Sequence, residues 1–147
     1  MIPVISTAAD AIALRAEAMS WFGTPWVGNG VPMKGTGASC GGLPFAILQK
    51  FGHEGPEPFD RADVSKSESL ERIAHVLDDH PAFFYPINLT GISAGDVLLF
   101  YAGIGHIGLA LDANEMVHSW QKGGVHVASF REKQLLKRLR RAWRPIK

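Results

Sequence analysis

Apolar side chains recur at helical spacing from about Thr7 to Phe22, where Ala11, Leu14, Ala18 and Trp21 fall on one face. The segment is entered through Thr7-x-x-Asp10 and stopped by Gly23, which predicts a helix. Gly23-Thr24-Pro25 turns the chain, and Trp26 to Ala38 is Gly-rich with neither helical nor strand periodicity, a loop. A second helix follows Cys40, with Leu43, Ile47 and Phe51 on its buried face and Gly52 as its end signal; Pro44 restricts its first turn. The polar stretch from His53 to Asp63 opens an insertion bracketed by Pro56, Pro58 and Pro81. It leads into a third helix, with Ser65-x-x-Glu68 as a capping box and Leu70, Ile73, Ala74 and Leu77 in register.

After Pro86 the pattern changes to short apolar runs between turn residues. Asp96 to Tyr101, His106 to Leu111, Glu115 to Trp120 and Val125 to Ala128 read as strands. A short helix capped by Ser129 and Glu132 precedes a last strand around Ala142-Trp143-Arg144. Helices first and a strand meander afterwards predict an α+β fold with an antiparallel sheet of about five strands. The Asp112-Ala113-Asn114 loop sets a register. If Leu111 pairs with Glu115, paired positions sum to 226, so that His118 faces Gly108 and His106 faces Trp120. Both histidines then project from one face as diagonal neighbours, with Cα atoms roughly 7–8 Å apart. A two-residue loop would send them to opposite faces; Asn114, suited to a left-handed position, favours the three-residue form.

With 147 residues, 46% of them hydrophobic and 20% charged, the chain has enough apolar material for one globular domain, and no repeat or linker divides residues 1–147. No stretch reads as a membrane span. The start, Met1 to Ser6, lacks the basic and apolar regions of a Sec signal peptide, so the expectation is synthesis in the cytoplasm without that export route. The net charge of +1 conceals a basic end, with eight Lys/Arg against one acid in residues 131–147. Without a nucleic-acid motif or an aromatic stacking platform, that end reads as a solvated surface, and nucleic acid is not an expected partner.

Cys40 is the one cysteine, so no internal disulfide forms. At a helix N-terminus it feels unpaired N–H groups that favour thiolate, and a nearby histidine would lower its pKa further. Gly41 and Gly42 leave the sulfur uncovered, and both of their N–H groups can face a developing oxyanion. With His106 as base and His118 orienting it, the three residues make a Cys-His-His unit for nucleophilic catalysis. The same set could ligate zinc, but no Cys-x-x-Cys or His-Glu-x-x-His spacing accompanies it, so the expectation is neither metal nor other cofactor. His53, His75, His80 and His126 have no comparable setting and are expected on the surface or in loops.

Five motifs in order carry a resemblance: Gly23-Thr24-Pro25-Trp26, Ser39-Cys40-Gly41-Gly42-Leu43, Gly95-Asp96-Val97-Leu98-Leu99-Phe100, His106-Ile107-Gly108 and Met116-Val117-His118. In these the chain resembles the NlpC-type cysteine peptidases, papain-like hydrolases that cut the peptide stems of bacterial peptidoglycan. The resemblance implies Cys40 as nucleophile, His106 as base and His118 as the orienting residue, with Trp26, Ser39, Gly41 and Gly42 toward the substrate. The long loop, the insertion and the compact size look most like the phage-tail branch, gene-transfer-agent relatives included. That implies tail-tip proteins as partners and a place in a tail or tail-like particle. The sequence departs from the family at Trp26, where a Tyr is frequent, and at Ser39 and Gly41, where Asp and Ser usually flank the cysteine; Pro44 is also unusual. A tail-tip structural subunit that keeps the fold without efficient catalysis is the alternative reading.

Overall fold

The computed structural model describes residues 1–28, 30–54, 70–101 and 103–147, without the side chains of Leu70 and Glu71. Helix α1 spans Ala8–Met19, α2 Gly42–Gln49, α3 Leu70–Asp78 and the short α4 Lys133–Leu136. The strands are β1 Phe84–Ile87, β2 Val97–Tyr101, β3 Gly105–Ala110, β4 Glu115–Trp120, β5 Gly124–Ser129 and β6 Leu139–Pro145. They form one antiparallel sheet in the order β1-β6-β2-β3-β4-β5.

The α1 start is the anticipated reciprocal cap: Asp10 N–H donates to Thr7 Oγ1 at 3.0 Å and Thr7 N–H to Asp10 Oδ2 at 3.1 Å. The helix ends at Met19, and Trp21 to Gly23 form a turn. Glu132, not Ser129, caps α4. Its carboxylate accepts from the N–H groups of Gln134 and Leu135, while Ser129 is the last residue of β5. The Ser65/Glu68 capping box and Pro56 and Pro58 of the insertion lie outside the described residues. The sixth strand is β1. It contains Pro86, which cannot donate to a ladder but is tolerated here because β1 is an edge, paired with β6 alone.

Strand alternation gives the sheet two covered faces. Val97, Leu99, Ile107, Leu109, Val117 and Trp143 pack beneath the helices, against Leu14, Ala18, Leu43, Ile47, Ile73 and Leu77. On the other face Leu98, Phe100, Ala110, Met116 and Ala142 form a smaller cluster with Ile92, Phe130 and Leu139. Asp96 is fully buried and bonded by Arg144 through Nε at 2.9 Å and Nη2 at 2.8 Å. Arg141 pairs with Asp78, to which Trp143 Nε1 also donates at 2.9 Å. The basic C-terminal segment is therefore partly engaged in tying β6 to α3 and to the start of β2, rather than wholly solvated.

Candidate active site

Helix α2 begins one residue past Gly41, so Cys40 stands at its N-terminus, half-buried. The approach to it is fixed by backbone and side-chain bonds. Trp26 and Ala38 form a parallel bridge, with Ala38 N–H donating to Pro25 O and Val27 N–H to Ala38 O. Ser119 Oγ donates to the same Ala38 carbonyl at 2.6 Å, tying the loop to β4 between His118 and Trp120. The Trp26 ring is half-buried and folds over Gly28, where an added Cβ would lie 2.9 Å from it. Ser39 is buried, and its hydroxyl accepts the Gly42 N–H at 2.9 Å. The Gly42 N–H is thus engaged inside the helix start, in contrast to the expectation that both glycines offer free donors. Gly42 has its own steric reason, since a Cβ there would meet Pro32 at 2.8 Å.

The β3–β4 register is the one read from the loop length: Leu109 pairs with Val117 and Ala110 with Met116, each summing to 226. Asp112 Oδ1 shapes the loop by accepting from the N–H groups of Asn114 and Glu115, both at 2.7 Å. His106 and His118 therefore share a face, and His106 Nε2 lies 2.7 Å from His118 Nδ1. Their rings are buried, with Trp120 edge-on to His106 at 4.6 Å between centroids. The space over Gly108 is filled by Met116, whose sulfur would sit 2.4 Å from an added Cβ. Ladder pairing between β3 and β4 stops at Leu109 and Val117, so the stretch carrying His106 and Ile107 has no partner on β4. The Ile107 N–H is directed at the Cys40 sulfur instead, which brings the thiol beside the strand that bears His106.

Electrostatics differ from the anticipated thiolate. Burial pushes the Cys40 thiol up from its ordinary value, outweighing the backbone N–H groups of Ile107, Gly41 and Cys40 itself. Burial likewise lowers His106 to about 4, with a smaller contribution from His126, and His118 to about 3 with help from both other histidines. The resting site is a neutral thiol beside neutral imidazoles.

Two of the four histidines expected to be unremarkable are not. His126 sits on β5 directly opposite His118, their Nε2 atoms 3.0 Å apart, and its Nδ1 donates to the Gly124 carbonyl at 3.0 Å. The parity rule that placed His118 finds it too: Trp120 pairs with Gly124 around a three-residue loop, so positions sum to 244. His53 is buried, its Nε2 3.2 Å from Phe83 O and its ring against Phe83 and Phe84. His75 is exposed beside Asp79, and His80 Nδ1 lies 2.7 Å from Val76 O. A pocket of about 290 Å³ opens beside the histidines, lined by Phe100, His106, His118, Trp120, His126 and Arg138, among others.

Helices packed on an antiparallel sheet, with a cysteine at a helix N-terminus beside a histidine-bearing strand, make an α+β fold. The sequence profile of the NlpC/P60 family matches residues 25–144, and the chain belongs to that family. Solved structures agree on the fold. A lipoprotein-like NLP/P60 protein from Staphylococcus aureus superposes with a TM-score of 0.68 at 18% identity, over 99% of this chain and 44% of that one. An NlpC/P60 family protein from Bacillus cereus gives 0.68 at 18% identity, over 97% of this chain and 42% of the other. The NlpC/p60 domain of the peptidoglycan hydrolase SagA gives 0.60 at 22% identity, over 90% and 96%. The chain thus spans less than half the length of the first two. No curated protein matches it. Among the described residues no helix is long and apolar enough to cross a membrane.

Proposed function

We propose that residues 1–147 form one thiol hydrolase unit that cleaves amide bonds in the peptide stems of peptidoglycan. Cys40 is the nucleophile, His106 the general base and His118 the residue that orients it. The observation that carries this reading is the buried 2.7 Å contact between His106 Nε2 and His118 Nδ1, on the strand whose Ile107 N–H is directed at the Cys40 sulfur.

With both partners neutral, attack and proton transfer are coupled: His106 takes the thiol proton as sulfur adds to the scissile carbonyl. The Cys40 and Gly41 N–H groups, directed at the sulfur in the resting site, stabilise the oxyanion once the sulfur has bonded to the carbonyl carbon. The imidazolium then protonates the leaving amine, and His106 deprotonates the water that releases the acyl group. Trp26 and the buried Ser39 hold the wall of the substrate channel rather than supply a hydroxyl to it. Family membership supports the stem-peptide substrate, and the long loop before Cys40 with the insertion after Gly52 supports a phage-tail setting with tail-tip proteins as partners.

Purified peptidoglycan incubated with the protein should release new amino groups. Cys40→Ala and His106→Ala should each lower that release by roughly a thousandfold or more. Full hydrolysis by either variant removes that residue from the mechanism. Absence of the chain from purified tail particles, by mass spectrometry, would end the tail assignment.

A further inference from the structure

With all three rings neutral, the hydrogen bonds around His126 form a chain with only one consistent direction. The Gly124 carbonyl can only accept, so His126 Nδ1 carries a proton and, in the neutral ring, His126 Nε2 is a bare acceptor. His118 Nε2, 3.0 Å away, is then the donor, which leaves His118 Nδ1 bare. His106 Nε2, 2.7 Å from it, is the donor in turn. Every nitrogen along the line is thereby specified, and His106 is left with its Nδ1 lone pair.

We propose that His126 is a positioning residue: the outer end of a one-way relay, Gly124 to His126 to His118 to His106, that locks His106 in the tautomer whose Nδ1 can accept a proton. The catalytic meaning of the lock rests on the thiol-hydrolase reading above, but the lock itself does not.

The surroundings favour it. His118 and His126 are directly opposed on β4 and β5, with ring centroids 4.3 Å apart, so backbone pairing sets their spacing. Phe100, Trp120, Ala128 and Leu135 make the walls of the adjoining pocket mainly apolar, which strengthens neutral hydrogen bonds and disfavours a charged ring. The far end is anchored as well. Gly124 has φ +68°, a Cβ there would fall 2.2 Å from Thr24 O, and Val125 N–H donates to that same oxygen at 2.9 Å. The Gly23-Thr24-Pro25 turn thus holds the carbonyl from which the proton positions of all three rings follow.

The test is the tautomeric state of each histidine, read from two-bond ¹H–¹⁵N correlations of ¹⁵N-histidine-labelled protein at pH 7. In the wild type we expect Nδ1–H at His126 and Nε2–H at His118 and His106. Nδ1–H at His106 overturns the relay without any variant being made. His126→Phe keeps a ring but removes the acceptor. It should abolish the single tautomer at His118 and His106 and lower kcat for stem-peptide hydrolysis on the order of tenfold or more with KM unchanged. His126→Gln, whose Oε1 can accept from His118, should restore both. Wild-type tautomers and kcat in a folded His126→Phe protein overturn the proposal. Should the wild type hydrolyse no wall peptide, the hydrolase reading fails while the spectra still decide the relay.

Discussion

Cys40 shows two opposing influences on one sulfur, and burial prevails. Backbone N–H groups favour the thiolate, yet removal from water raises the thiol pKa, and the same desolvation takes His106 down to about 4. The signs can be tested together. Iodoacetamide alkylation of Cys40 should follow an apparent pKa above the free-cysteine value of about 8.5. The acid limb of kcat/KM should lie well below pH 6.5, because His106 stays an available base until it protonates near 4. A thiolate already reactive at pH 6 would refute the neutral pair. The shared face of His106 and His118 was legible in the sequence, but this protonation state was not. It depends on how much protein surrounds the sulfur, a property of packing that the Ser39-Cys40-Gly41-Gly42 motif does not encode.

At the scale of elements, the hairpins were the most readable part of the chain. Asp112 and Asn114 define a three-residue loop, the loop defines parity, and parity puts His106 and His118 on one face. The β4–β5 hairpin obeys the same arithmetic, but the consecutive Gly123 and Gly124 obscure where the loop ends, and His126 was missed for that reason. Strand β1 was missed because Pro86 marks a break in most settings and is harmless only at an edge. The attachment of β6 was not readable either, since Arg144 meets Asp96 across 48 residues. That pair makes a prediction. Arg144→Ala leaves a fully buried carboxylate without its guanidinium and should cost about 3–5 kcal/mol in urea unfolding at pH 7. A loss below 1 kcal/mol would mean that water or another donor replaces the arginine.

The whole molecule inherits an acid sensitivity from its buried neutral histidines. His53, His106 and His118 all have folded pKa values below the ordinary 6.5, so the unfolded chain binds more protons as the pH falls. Stability should be intact above pH 6.5 and decline from there down to about pH 3, by an amount on the order of 3 kcal/mol for His106 alone. Asp96, raised by burial in spite of Arg144, has the opposite sign, and its window lies above its ordinary value of 3.8, where it offsets part of the histidine slope. Urea midpoints measured at pH 7.5, 6, 5 and 4.5 will show the slope, and a flat profile would mean that these rings take up protons in the fold as readily as in the unfolded chain. The approach of Cys40 to the Ile107 N–H, between residues far apart in the chain, required the fold. The shielding of the sulfur has one further effect. The thiolate is the form that attacks peroxide, so a cysteine kept protonated oxidises slowly. The protein should therefore age slowly in aerated solution, Cys40 remaining usable long after purification away from reductant.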